Sequence, residues 1–163
     1  MSGYTVGMTK PVIPPDIEAG CEEVRQALNR LDHNAANVKS GALVKAHPES
    51  FAAWACRGAV LYELGKLADA KAAYVRALKL AEEFFRGRLP ARLRWSETTE
   101  RHVLRAIHGA GCVAYRQGDV SSAQKFFEEE VRLNPADEQG AKYMLRDIKA
   151  GRAWNALGKA NAA

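Results

Sequence analysis

His108 and Cys112 stand four residues apart, the spacing that sets two side chains one above the other on a helix. Such a pair can offer two ligands to a zinc ion or act as nucleophile and base. Neither chemistry completes itself in the sequence. No second pair with ligand spacing accompanies them, and no third residue stands out to orient the histidine. Cys21 and Cys56 are each alone in their segments, so neither a disulfide framework nor a zinc ribbon is indicated. Free cysteines in predicted helices behave as small apolar residues and suit a reducing compartment. The acidic run Glu128–Glu130 reads as a solvated helix face rather than paired catalytic carboxylates, and the glycines do not follow the GxxxxGKS spacing of a phosphate loop. No metal, no cofactor and no catalysis are expected.

A denser group lies further along. Arg86, Arg88, Arg92 and Arg94 fall within nine residues, flanked by Phe84, Phe85 and Trp95. Arginines interleaved with aromatics can meet a nucleic-acid backbone and its bases, but four are few for such a tract, so nucleic acid is disfavoured. The same aromatics could pair two copies of the chain. The plainest reading is a solvated connection whose aromatics pack beneath it.

The elements that position these residues follow from a repeat. Residues 53–80 and 106–133 align. Gly58 precedes Gly65 by seven residues, as Gly111 precedes Gly118; Ala70 and Ala123 come five later, Tyr74 and Phe127 four after that. Glycine inside a helix costs about 1 kcal/mol against alanine and is tolerated where another helix must approach. Gly65 and Gly118 suit left-handed turns at helix ends, the alanines keep paired helices close, and the aromatics fill the layer between units. Pro135 ends the second copy by removing a donor.

Helix–turn–helix units of this pattern resemble the tetratricopeptide repeat family. The resemblance covers 51–84 and 104–137, with Trp54 where the family often carries tryptophan. Arg57, Glu82 and Glu130 depart from it, standing for a leucine, a closing proline and a small residue. A degenerate unit is expected at 17–50, where Ala36 matches Ala70, Pro48 closes and Asp16 can cap the first helix. Residues 138–150 read as a capping helix, as open stacks require, 1–15 as a flexible segment, and 151–163 as a tail. The two good units are offset by 53 residues instead of 34, leaving an insertion at 85–103. Ser96 would cap the helix that follows, and the helices on either side should protrude. The resemblance implies an all-α, right-handed superhelical stack of antiparallel helix pairs.

Trp95, Arg105, Ala106, His108 and Gly109, with Asn134, Pro135, Asp137, Gln139 and Gly140, are also similar to strings of a bacterial tetratricopeptide subgroup. That likeness implies architecture and no assigned activity. Secretion chaperones of similar length use such stacks and often dimerise, but no motif specific to them occurs.

In the family the first helix of each unit lines a concave face. Helical spacing nominates Arg25 and Asn29 from the first unit, and Ala55, Ala59, Tyr62 and Glu63 from the second. Arg105, His108, Cys112, Tyr115 and Arg116 come from the third, Lys142 and Arg146 from the cap. Arginine binds carboxylates in a bidentate fork, so an acidic segment of another protein is the expected ligand. Ala55 and Ala59 stand where the chaperone-binding members carry part of a lysine/asparagine clamp, so that ligand is not expected. Net charge of +5 agrees with an acidic partner. No apolar run can span a bilayer and no secretory signal opens the chain, so a cytoplasmic location is expected.

Overall fold

The structure is a computed structural model and describes residues 10–154. Among these residues every regular element is a helix: α1 (Pro15–Asn29), α2 (His33–Ala46), α3 (Phe51–Glu63), α4 (Leu67–Phe84), α5 (Thr98–Arg116), α6 (Val120–Leu133) and α7 (Ala141–Lys149). Consecutive helices pair as α1/α2, α3/α4 and α5/α6, α3 lies against both α1 and α5, and α7 packs on α6. The fold is a helical repeat stack.

Local chemistry sets the boundaries. Asp32, Ser50 and Asp119 accept hydrogen bonds from the backbone N–H groups of Ala35, Ala53 and Ser122, capping α2, α3 and α6. Gly65 and Gly118 turn the chain between paired helices at φ 73° and 81°, where a side chain would be strained. Ala36, Ala70 and Ala123 are each 0% exposed, one per pair, where the helices cross.

The glycine–aromatic relation is steric. A Cβ on Gly58 would lie 2.8 Å from the Tyr74 ring, and one on Gly111 would lie 2.7 Å from Phe127. In the first pair the volumes are reversed. Thirty-four positions before Gly58 stands Val24, and thirty-four before Tyr74 stands Ser40, both fully buried. At these two positions the larger residue is on the first helix and the smaller on the second, while the close approach of this pair falls at Gly20, where a Cβ would lie 2.6 Å from Leu43. Arg57 reaches Ser40. Its Nη1 donates to the Asn37 carbonyl, Asn37 Oδ1 and Ser40 Oγ at 3.0, 2.8 and 2.9 Å, fastening α3 to α2.

The insertion folds back onto the stack instead of carrying its bordering helices outward. Leu93 is buried and its N–H donates to the Leu133 carbonyl at 2.9 Å, while Arg92 Nη1 reaches the Arg132 carbonyl at 2.6 Å. Ser96 does not cap α5. The cap position is Glu97, without a side-chain bond. Glu100, 1% exposed, reaches back to the Arg94 N–H at 2.5 Å and ion-pairs with Lys10. The first turns of α5 are thereby covered, with Thr99 and His102 buried as well.

Residues 10–14 are extended and held in place rather than flexible: Ile13 is buried and donates its N–H to Thr99 Oγ1 at 3.1 Å. The rest of the expected flexible segment, 1–9, and 155–163 of the tail lie outside the described residues. At the other end Trp154 sets its ring edgewise to Tyr115 and Tyr62, with centroids 5.7 and 6.3 Å apart.

Candidate functional site

Residues nominated for one groove fall into two groups. The first lies where α1, α3 and α5 meet. Arg105 sits over the Trp95 ring at 5.3 Å, and Arg101, one helical turn before it, lies 5.9 Å from the same ring. Burial lowers the pKa of Arg105, and the nearby charges of Arg25 and Arg101 lower it further. Three guanidinium groups therefore converge on one half-buried surface. Arg25 is held by Glu18 at 3.0 Å and by Glu22, yet its Nη1 and the Nε of Arg101 find no hydrogen-bond partner among the described residues. Both of these atoms are buried, so a carboxylate at the surface would meet the accessible edges of the half-buried guanidinium groups instead.

The second group closes the C-terminal end. Arg116 lies over the Tyr62 ring at 5.2 Å, and burial pushes the Tyr62 phenol up to about 12. Tyr115 does not offer the free surface its spacing suggested. It is 2% exposed, beneath Trp154, and donates its hydroxyl proton to the Arg152 carbonyl. Cys112 and Ala55 are likewise buried, because α5 and α3 have neighbours on both sides and little of either faces solvent. Asn29, Lys142 and Arg146 are exposed, and the latter two are engaged locally, with the Pro135 carbonyl and the Tyr143 ring.

His108 joins neither group. Its Nδ1 meets Glu130 Oε2 at 2.9 Å, and Gln139 Nε2 donates to Glu130 Oε1 at 2.7 Å and to the Leu104 carbonyl at 3.0 Å. Glu130 is 2% exposed, so the acidic run is not a uniformly solvated face: Glu128 faces water and Glu130 turns inward. Burial alone would depress the His108 pKa, but the Cys112 sulfur and the Glu130 carboxylate outweigh it and carry the value up to about 10. A folded-state pKa above the unfolded one contributes stability that is full below about 6.5 and lost as pH rises towards about 10. Denaturant unfolding between pH 6 and 10 is expected to show a steeper alkaline loss in the wild type than in His108→Gln; parallel curves would refute the pairing.

This network explains the two subgroup strings together. Trp95 carries Arg105, Gly109 faces Tyr74, and Asn134 Oδ1 accepts from the Asp137 N–H at 3.0 Å. Asp137 in turn caps α7 at the N–H groups of Ala141 and Lys142, and Gln139 reaches Glu130. The strings join the last helix pair to its cap.

The arginine-rich insertion does not present one patch. Phe85 is buried against Phe51 and Phe84, with Phe51–Phe84 centroids 5.1 Å apart. Trp95 is overlaid by α5 arginines. Arg94 lies 3.8 Å from both Glu97 and Glu100, and Arg92 is spent on backbone carbonyls. Arg86 and Arg88 are exposed. The aromatics a second copy or a base would need are largely committed to the fold.

Sequence reasoning missed Arg101, although it precedes Arg105 by four residues and so shares its face. It also missed a buried constellation. His102 is 1% exposed, with Nε2 2.5 Å from Glu18 Oε2. Burial lowers the His102 pKa against the opposing pull of Glu18, and burial of Glu18 is outweighed by His102 and Arg25, which leave its carboxyl below the ordinary range. Cys21 and Cys56 lie beside His102. Ligand spacing within one helix pointed to His108 and Cys112; the groups brought together come from three helices.

No described helix is long and apolar enough to cross a membrane. Comparison with curated protein sequences gives no match. Residues 51–84, which hold α3 and α4, match the tetratricopeptide repeat, a helical unit of protein–protein interaction. The match identifies α3 and α4 as a tetratricopeptide repeat, and the helix pairs on either side continue a helical stack around it.

Proposed function

We infer that the chain is a binding module that takes an acidic peptide segment on the face shared by α1, α3 and α5. The observation that carries this reading is the clustering of three half-buried arginines, Arg25, Arg101 and Arg105, the last two over the Trp95 ring. Like charges held together repel, and a further carboxylate offsets the repulsion that Glu18 and Glu22 leave uncompensated. Trp95 supports the surface from below by holding Arg101 and Arg105 over its ring. Tyr62 and Arg116 extend the surface towards the C-terminal end with an amphipathic contact.

The test is calorimetric titration of the full chain with a glutamate-rich peptide and with a lysine-rich peptide of equal length. Saturable binding of the acidic peptide alone, weakening as salt rises from about 0.05 to about 0.5 M, supports the reading. Equal binding of both peptides, or none, overturns it. If binding persists with an amidated C-terminus, side-chain carboxylates are the recognised groups; if it is lost, a terminal carboxylate is.

A further inference from the structure

The sulfurs of Cys21 on α1 and Cys56 on α3 and a ring nitrogen of His102 on α5 all lie within 4.8 Å of one another. All three residues are buried, at 0%, 7% and 1% exposure. They sit near the convergent arginines but beneath the surface. Two thiols and an imidazole gathered from three separate helices are a soft donor set, of the kind that selects zinc or monovalent copper over hard, oxygen-loving cations.

The histidine supplies a second observation. Its Nε2 is engaged with Glu18, and its Nδ1 is buried without a hydrogen-bond partner among the described residues. A buried, unused polar nitrogen costs free energy unless something fills it. With Nε2–H donating to a carboxylate, the neutral ring leaves its lone pair at Nδ1. A carboxylate bonded to the far nitrogen is the arrangement that orients metal-binding histidines and raises their basicity. Arg25, bridged to the same Glu18 at 3.0 Å, holds that carboxylate in turn.

We propose that Cys21, Cys56 and His102 form a three-ligand site for a thiophilic d10 metal ion, Zn2+ or Cu+. Ligand atoms about 2.3 Å from such an ion stand about 4 Å apart, so the three atoms need only a small inward shift. The sulfurs bind as thiolates, and their two protons leave for solvent as the ion enters. With Zn2+ the site is electrically neutral, which a dry interior favours; with Cu+ a trigonal set is already complete. The ion would pin α1, α3 and α5 together at one point, so loading it stabilises the stack as a whole.

The test uses the full chain, reduced and stripped with a chelator, then titrated anaerobically with Zn2+ or with Cu+ against competing chelators. One ion per chain is expected, with two sulfur and one nitrogen neighbours in the X-ray absorption spectrum and a raised thermal midpoint. Cys112→Ser is expected to bind unchanged. Glu18→Gln is expected to lose about 10- to 100-fold in affinity, and Cys21→Ser or Cys56→Ser more than that, each with its helical circular dichroism retained. The ion that loads to this stoichiometry at the lower free concentration is the site's metal. Absence of saturable binding by either ion to the reduced chain overturns the proposal. So does binding that survives in the Cys21→Ser/Cys56→Ser double variant.

Discussion

Arg105→Glu is expected to weaken binding of an acidic peptide by about 2 kcal/mol, close to thirtyfold in Kd, without lowering the thermal midpoint. The two halves of that result have one cause. Arg105 is half-buried over Trp95, where the charges of Arg25 and Arg101 outweigh the opposing one of Glu18. Towards a carboxylate all three attract, and reversing one removes an attraction and adds a repulsion. Towards each other they repel, so the reversal relieves strain in the free protein, offsetting the lost cation–π contact of about 0.5–1 kcal/mol. Arg88→Glu, on the exposed part of the insertion, is the matched control and should leave Kd within about twofold. Isothermal titration of both variants beside thermal unfolding decides the matter. If Arg105→Glu loses binding and stability together, the arginine is structural and the binding surface lies elsewhere.

Gly109→Ala should be among the most disruptive single-methyl changes available to this chain. A Cβ there would lie 2.2 Å from Tyr74 Cζ and 2.4 Å from its hydroxyl oxygen. Gly58 packs against the same ring, and Tyr74 is only 5% exposed, so the ring has little room in which to retreat. Alanine gains about 1 kcal/mol of helix propensity over glycine, yet overpacking of this kind costs about 1–3 kcal/mol or more. A net loss of about 2 kcal/mol is expected, roughly 4–8 °C in thermal midpoint for a chain of this size. A thermodynamic cycle identifies the cause. In a Tyr74→Leu background, where the ring is gone, Gly109→Ala should become neutral or stabilising. If it costs the same in both backgrounds, the ring is not what the methyl meets.

The repeat was legible because it is written in local spacing. Gly58 with Tyr74, Gly111 with Phe127, and the turns at Gly65 and Gly118 each depend on residues a fixed distance apart within one helix pair. In the first pair the glycine stands at a different place, Gly20 against Leu43, and at the matching positions Val24 and Ser40 exchange sizes. What escaped the sequence was placed by contacts between pairs. Nothing local marks Glu130 as the buried member of an acidic run; it turns inward because His108 on α5 and Gln139 in the turn before α7 await it. Tyr115 has the periodicity of a groove residue, and only the return of the chain at Trp154 buries it. Helical periodicity nominated Arg25 and Arg105 because charge on one face is a local property. It passed over Cys21, Cys56 and His102, whose association requires three helices to be assembled first.

A stack of repeats ordinarily behaves as a ladder, in which each rung feels only its neighbours and either end can open alone. Here rungs that are not neighbours hold hands. The segment before α1 and α1 itself bond to the start of α5 through Ile13–Thr99, Lys10–Glu100 and Glu18–His102. From within the insertion, Leu93 and Arg92 tie to the last residues of α6. The outer pairs therefore cannot peel away without releasing bonds that bypass the middle one, and the middle one cannot loosen while those clasps remain shut. Such a chain should lose its structure in a single step, and a ligand seated on α1 and α5 would feel the integrity of all three pairs at once.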